Sequence, residues 1–216
     1  LTDVTGVQTC ALPISLLPGE FALYTALYRV LKITLSSIDV EVSAMHGRRP
    51  THVEIDLAAL RHNLLQVRRK VTPKTQVLAV VKADAYGHGA ASVAPALQQA
   101  GVDLFGVAIA EEGIELRAAG VDRPILVLGG VYPDQEEEFF RHRLTPTLFD
   151  LDAARRMDRA AAERGEVCRY HLKIDTGMGR VGFRPEELSE VLPRLAELKH
   201  LHLAGEIGRA SCRERV

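Results

Sequence analysis

The feature that most constrains the fold is a regular alternation of short apolar runs with helical segments, from residue 53 onward. The run at 77–81, VLAVV, has the pattern of a strand buried on both faces, as in parallel sheets. The strand candidates are residues 53–57, 77–81, 104–109, 125–128, 144–148, 167–174 and 201–204. Single helical segments separate them, which implies βαβ crossovers and a parallel sheet. The alternation therefore predicts an α/β fold.

The helical segments are recognised by apolar residues at steps of three and four. In the first segment this apolar stripe consists of Leu57, Leu60, Leu64, Val67 and Val71. Asp56 is the candidate cap at its start, and Pro73 ends it. The other predicted helices cover residues 90–99, 111–119, 134–142, 151–164 and 185–199.

The composition excludes several classes of protein. Hydrophobic residues make up 47% and charged residues 25% of 216 residues, which is enough apolar material for a sizeable core and excludes intrinsic disorder. The net charge is −1, so the chain has no excess of basic residues of the kind that binds nucleic acid. An uncharged stretch at 4–19 is interrupted by prolines and is shorter than the roughly 20 apolar residues of a membrane span. We therefore expect neither a nucleic-acid partner nor a membrane segment.

The cysteines give no sign of a disulfide framework or a metal site. There are three of them, an odd number, and no C-x-x-C or Cys/His spacing occurs. A reducing compartment, the cytoplasm, is the expected location, and no metal is expected.

Both ends of the chain depart from the alternation. Residues 1–44 show no clear period, and the first Met is Met45, just before the regular pattern. Residues 206–216 follow a strand where a helix or a functional loop should come. We expect a non-native or disordered extension at 1–44, the regular domain at 45–205 and a non-native tail at 206–216.

The segment at 80–89, VVKADAYGHG, carries the strongest chemical signal. Lys82 stands at the carboxyl end of a buried strand, the edge where ligands bind in α/β folds. Desolvation favours its neutral amine, which can then act as a nucleophile or form a Schiff base. Tyr86 can return its hydroxyl over the same edge. The alternative is a structural lysine that extends its amine from a strand end into solvent.

A second segment, at 171–183, also leaves a strand and enters a helix. Alternation along the strand places His171, Lys173 and Asp175 on one face, and buried polar groups of this kind mark a site more often than mere structure. Arg180 is the cation of the glycine loop, and its planar guanidinium suits carboxylate or phosphate oxygens. The alternative for Arg180 is an ordinary solvated surface arginine.

The same loop also matches the dinucleotide pattern G-x-G-x-x-G, at Gly177, Gly179 and Gly182. The match follows a late strand rather than the first one, and Arg180 would crowd the approach of a pyrophosphate. The acidic residue expected about 20 positions on could only be Glu206. A dinucleotide site is therefore disfavoured.

Together, residues 80–89 and 173–183 resemble the pyridoxal-phosphate lysine motif and the substrate-side glycine loop of alanine racemases. Residues 49–57 with Leu60 and Asn63 look like the N-terminal opening of that family. The resemblance covers about residues 45–205. Asp84 departs from it, because many family members have Asn there.

The resemblance implies an incomplete parallel (β/α) barrel of the TIM type, with about six of its eight strands and without the C-terminal β domain of the family. It implies pyridoxal 5'-phosphate as cofactor and alanine as substrate, with D-alanine supplied for peptidoglycan. A homodimer is expected for the full-length protein.

The resemblance also assigns roles to four residues. Lys82 would hold the cofactor as a Schiff base and act as one of two bases at Cα, and Tyr86 would contact the cofactor phosphate. Arg180 would bind the substrate carboxylate and the phenolic oxygen of the cofactor. Lys173 matches a position that is carbamylated in some members, where it orients that arginine. Asp175 is expected to be a polar partner inside the barrel.

The second base of the family lies beyond the matched region, so we expect an inactive truncated copy of a racemase. The alternative is a single-domain carrier barrel that binds pyridoxal phosphate without racemase activity. The residues ADAYGHG at 83–89 favour the racemase.

Overall fold

The computed structural model describes residues 21–24 and 53–209. Its strands are β1 (Phe21–Tyr24), β2 (Gln76–Val80), β3 (Leu104–Val107), β4 (Ile125–Val127), β5 (Leu144–Leu148), β6 (Cys168–Lys173) and β7 (Leu201–Ile207). Its helices are α1 (Leu57–Lys70), α2 (Lys82–Gly87), α3 (Ala90–Gln99), α4 (Ala110–Ala118), α5 (Glu136–Arg141), α6 (Leu151–Arg164) and α7 (Leu188–Ala196). A 3₁₀ turn, Pro185–Glu187, precedes α7.

The strands form one parallel sheet in which each strand pairs with the next one along the chain. From β2 to β7, at least one helix connects each strand to the next, so all carboxyl ends of these strands lie at the same edge. The pairing of β6 with β7 shifts register between Tyr170 and His171. The predicted α/β fold with an incomplete parallel barrel is thereby confirmed.

Two apolar layers lie on opposite faces of the sheet. The larger one packs strand residues such as Phe105 and Ile125 against helix residues such as Leu97 and Leu116. The smaller one contains Leu78, Val80, Leu104 and Leu126, with Leu128 and Ile207 packed against it. Because side chains alternate along a strand, the smaller layer lines the face opposite the helices, which is the inside of an incomplete barrel.

Local sequence explains where the longer helices begin and end. The carboxylate of Asp56 accepts hydrogen bonds from the N–H groups of Ala58 and Ala59, at 2.8 and 3.0 Å, so the predicted cap of α1 is confirmed. Asp150 caps α6 in the same way, through the N–H of Ala153. Gly165 ends α6 with a φ of 64°, a left-handed conformation that suits glycine.

One predicted strand is wrong. Residues 53–57 form no strand: Glu54 makes a single bridge, and Leu57 already begins α1. The physical reason is the cap, because Asp56 binds the N–H groups that start the helix.

Two strands of the sheet include residues outside the predicted domain bounds of 45 and 205. The strand β1 lies within residues 1–44 and pairs with β2, and β7 continues past Gly205 to Ile207. The boundaries at residues 44 and 205 stay predictions.

Within residues 53–209 and the strand at 21–24, no helix combines the length and apolarity needed to cross a bilayer. Over the same residues, no three His, Cys, Asp or Glu side chains come together as metal ligands.

Candidate active site

The candidate site lies at the carboxyl edge of the sheet, where Lys82 follows β2. The backbone N–H of Val81 still donates to the carbonyl of Gly106 in β3, at 2.8 Å, so Lys82 is the first residue beyond the sheet pairing. Its side chain is half-buried. The predicted position of Lys82, at the mouth of the sheet, agrees with the structure.

The chain after Lys82 forms one turn of left-handed helix. The φ angles of Ala83, Asp84, Ala85 and Tyr86 lie between 51° and 55°, and none of these residues is a glycine. The left-handed conformation costs an L-residue roughly 1–2 kcal/mol, so such a turn needs support from its surroundings. Its own backbone gives some, because the N–H of Ala85 donates to the carbonyl of Val81 at 2.9 Å.

Two carboxylates support this left-handed turn at its ends. Glu112 accepts hydrogen bonds from the N–H of Ala83 at 2.7 Å and from the N–H of Ala108 at 2.6 Å. Asp84 accepts from the N–H of Ala90 at 2.6 Å and so joins the turn to α3. The sequence pattern predicts Glu112 in a helix but does not indicate this role, because the role depends on a contact between residues 29 positions apart.

The left-handed turn brings Tyr86 back to the lysine. The ring centroid of Tyr86 lies 5.9 Å from Nζ of Lys82, and 42% of the side chain is exposed. Partial burial raises the pKa of the phenol above its usual value, and the negative charge of Glu112 acts in the same direction, while Arg209 opposes them. The hydroxyl therefore stays protonated at neutral pH and can donate a hydrogen bond.

The glycine loop leaves β6 and closes on itself between Asp175 and Phe183. The N–H of Asp175 donates to the carbonyl of Phe183, and the N–H of Phe183 donates to the carbonyl of Lys173, both at 2.9 Å. Gly182 makes this closure possible: its φ is +128°, and a Cβ there would lie 2.5 Å from the backbone nitrogen of Asp175. The loop is thus a compact structure that presents Arg180.

Asp175 organises the interior of this loop. Its Oδ1 accepts from the N–H groups of Gly177, Met178 and Gly179 at 2.9–3.1 Å. These bonds, the one from Gly179 foremost, lower the pKa of the carboxyl. Asp175 is therefore a loop-building residue rather than the predicted polar partner inside the barrel. A dinucleotide phosphate would need the N–H groups of this glycine loop, but these three already donate to the Asp175 carboxylate.

Lys173 lies at the end of β6, beside the loop. Its Nζ donates to the carbonyls of Ile174 and Ile207, at 3.3 and 3.4 Å. Burial lowers the pKa of this amine, Asp175 opposes the shift, and the positive charge of Arg180 adds to it. A lowered pKa gives a larger share of neutral, nucleophilic amine. Arg180 itself is exposed.

His171 lies one step deeper on the same face of β6 as Lys173. Only 8% of its side chain is exposed, and burial lowers its pKa to about 4, with Arg169 contributing. The adjacent strand accommodates the ring because Gly205 faces it; a Cβ at that position would lie 3.0 Å from the ring. His171 is therefore neutral at physiological pH.

All four predicted site residues meet in one cavity. Its lining includes Lys82, Tyr86, Lys173 and Arg180. Apolar walls come from Val80, Leu128, Met178, Val181 and Ile207. Arg209, which belongs to the predicted tail and not to the predicted site, adds a further cation. A lysine amine, a phenol and several cations around an apolar floor suit a ligand with an aldehyde and anionic groups.

Comparisons with known proteins give a consistent picture. The family model for the alanine racemase N-terminal domain matches residues 55–213. An alanine racemase from Geobacter sulfurreducens is 53% identical over 159 residues, which cover 74% of this chain and 42% of that protein. The chain thus spans about 42% of the length of this curated relative.

Solved structures agree with the sequence matches. The alanine racemase of Clostridium difficile 630 has a TM-score of 0.66 at 37% identity, over 70% of this chain and 40% of that one. The alanine racemase of Bartonella henselae, described with covalently bound pyridoxal phosphate, has a TM-score of 0.67 at 28% identity. That match covers 73% of this chain and 46% of the other.

Proposed function

Because the chain belongs to the alanine racemase family through its N-terminal domain, we propose that it binds pyridoxal phosphate in the Lys82 cavity. We propose further that the whole protein to which this domain belongs interconverts L-alanine and D-alanine. The observation that carries the proposal is the convergence of Lys82, Tyr86, Lys173 and Arg180 on one cavity from the ends of two strands. The covalently bound pyridoxal phosphate of the Bartonella henselae relative supports the choice of cofactor.

The residues of the cavity fit this cofactor. The half-buried amine of Lys82 would hold it through an imine with its aldehyde, and the Tyr86 hydroxyl would donate to its phosphate. The cations of the cavity match the charge of the phosphate and of an amino-acid carboxylate. When bound, pyridoxal phosphate supplies an electron sink for the pair left behind when the Cα–H bond breaks.

The side chains of this chain have separate tasks in the proposed reaction. Arg180 binds the carboxylate of alanine and fixes its orientation. The amine of Lys82 would take up or return the proton at one face of Cα. Lys173 borders Arg180, and its lowered pKa suits the addition of its neutral amine to carbon dioxide. This addition would release one proton to solvent and leave a carbamate next to the guanidinium.

The proposed setting of the reaction follows the family. We place it in the cytoplasm, where D-alanine is supplied for peptidoglycan, and expect the full-length protein to act as a homodimer. Light scattering on the full-length protein tests the dimer. Rescue of a D-alanine auxotroph by the full-length gene, with a Lys82→Ala version as control, tests the activity in cells.

The cofactor proposal is tested by titrating the chain with pyridoxal phosphate and recording the absorbance of the lysine imine. Borohydride then adds hydride to the imine carbon, and peptide mass analysis locates the pyridoxyl group. We expect the imine band in the wild type, the label on the Lys82 peptide, and neither in Lys82→Ala. The exposed Lys74→Ala is the matched control and should behave as wild type. An undiminished band in Lys82→Ala would contradict the proposal.

Racemisation is tested separately, by chiral chromatography of L-alanine after incubation with the full-length protein. Conversion to D-alanine that is lost in Lys82→Ala supports the racemase. An imine band without any racemisation would favour a carrier of pyridoxal phosphate instead.

A further inference from the structure

Glu112 joins the ends of two neighbouring strands beside the lysine. Its Oε1 accepts from the N–H of Ala83, the residue directly after Lys82, at 2.7 Å. Its Oε2 accepts from the N–H of Ala108, which directly follows β3, at 2.6 Å. One carboxylate therefore satisfies two N–H groups that have left the pairing of the sheet.

Glu112 stands in the first turn of α4, and its side chain is partly buried. Hydrogen bonds from N–H groups to a charged acceptor are stronger than those between neutral groups. Its neighbour Glu111 is exposed and contacts Gln135 instead, at 2.8 Å. The two glutamates thus differ in contacts, although they are adjacent.

What Glu112 supports is the left-handed turn that follows Lys82. All four turn residues have a Cβ and a positive φ, so the turn needs external bonds to persist. The bond to Ala83 fixes the peptide plane that follows Lys82, and so the direction in which the lysine side chain starts. The same turn sets the position of Tyr86 relative to Lys82.

We propose that Glu112 is a positioning residue of the cofactor site. It acts through the backbone of Ala83, which it holds so that the Lys82 amine and the Tyr86 hydroxyl point into one cavity. The residues that line the cavity, Lys82 and Tyr86 among them, do not include Glu112. This inference rests on the proposed function, and its test keeps the two separate.

The first test is Glu112→Gln. The side-chain amide keeps one acceptor oxygen but turns an NH₂ donor toward the second N–H, so one strong hydrogen bond is lost. We expect the apparent Kd for pyridoxal phosphate, measured from the imine absorbance, to rise about tenfold. The matched control Glu111→Gln removes the same charge from the same helical turn and should leave the Kd within about twofold of wild type.

A second variant tests the mechanism. Glycine adopts a positive φ without the cost that alanine pays, so Ala83→Gly in the Glu112→Gln background should recover most of the lost affinity. The same Ala83→Gly change in the wild type should alter the Kd far less. This difference between the two backgrounds measures the coupling between Glu112 and the left-handed turn. A general contribution of Glu112 to stability would not produce such coupling.

Circular dichroism without cofactor checks that each variant is folded. Should Glu112→Gln fail to fold, Glu112→Asp replaces it: this variant keeps the charge of the helix but lacks the reach to both N–H groups. It should also raise the Kd. A folded Glu112 variant with the Kd of Glu111→Gln, or no recovery by Ala83→Gly, would overturn the inference. Absence of the imine band from the wild type itself would instead reject the proposed function.

Discussion

The side chain of His171 shows how burial sets the protonation state of a residue below the cavity. Its folded pKa of about 4 lies well under the ordinary value of 6.5. Between these two values the unfolded chain binds a proton that the folded chain does not. By linkage, the free energy of unfolding falls as the pH falls from 6.5 toward 4.

We therefore predict that His171 accounts for about 3 kcal/mol of lost stability between pH 7 and pH 4. Urea unfolding at both pH values measures it. His171→Gln should lose less stability on acidification by that amount, since its side chain does not titrate. The exposed His202→Gln serves as control and should keep the pH dependence of wild type. Equal acid sensitivity of His171→Gln and wild type would refute this account.

Single residues of the site differ in how far they are predictable from sequence. The place of Lys82 and Arg180 at the cavity could be predicted, because their residue types stand out against a buried strand and a glycine loop; their roles stay predictions. The turn at 83–86 could not, because alanine, aspartate and tyrosine locally prefer a negative φ. Glu112 could not either, since its partner Ala83 is brought near only by the packing of β2 beside β3.

Among the elements, the closed loop between β6 and α7 depends on Gly182. We predict that Gly182→Ala costs about 3 kcal/mol of stability and weakens binding of pyridoxal phosphate, because its Cβ would meet the backbone of Asp175 and Ile174. Gly179→Ala, with a positive φ but open space around it, should cost only about 1 kcal/mol. Urea unfolding and cofactor titration measure both, and equal effects of the two changes would show that the close approach does not matter.

The segments that connect α4, β4, α5 and β5 depend on Arg117. Its guanidinium donates, at 2.7–2.9 Å, to the carbonyls of Val121, Arg123, His142 and Arg143. We predict that Arg117→Met lowers the free energy of unfolding by about 3 kcal/mol, because these carbonyls lose their donor. Chemical denaturation measures the loss. The exposed Arg123→Met should change stability by less than about 0.5 kcal/mol, and a similar small loss in Arg117→Met would contradict the prediction.

The elements themselves were largely predictable from sequence. The six strand candidates from residue 77 onward all correspond to strands. For β2, β3 and β4 the reason is burial on both faces, which requires a nearly continuous apolar run. The helix at 151–164 was predicted with its observed bounds. Asp150 caps its first turn, and Gly165 ends it in a left-handed conformation. The strand predicted at 53–57 overlaps the cap predicted at Asp56; the cap forms and begins α1 at Leu57, and only a single bridge at Glu54 remains.

For the whole molecule, cofactor binding and stability are linked. A ligand that binds only the folded state at about 100 times its Kd adds roughly 2.7 kcal/mol to the free energy of unfolding. We predict a gain of this size in the free energy of unfolding when pyridoxal phosphate binds, measured as a rise of the thermal unfolding midpoint.

Pyridoxine 5'-phosphate, which lacks the aldehyde, should give a clearly smaller rise at the same concentration, and so should pyridoxal phosphate added to Lys82→Ala. Equal rises with both ligands would show that the imine contributes nothing to stability.

The order of strands in the sheet also has a consequence for how the molecule is made. Each of the described strands β2 to β7 hydrogen-bonds to the strand synthesised just before it. During translation, each new strand therefore finds its docking edge already present and does not wait for a distant partner. From β2 onward, loop closure then involves only the short helical segment between one strand and the next. The chain is thus suited to fold progressively as it leaves the ribosome, by adding one strand and helix to a growing edge.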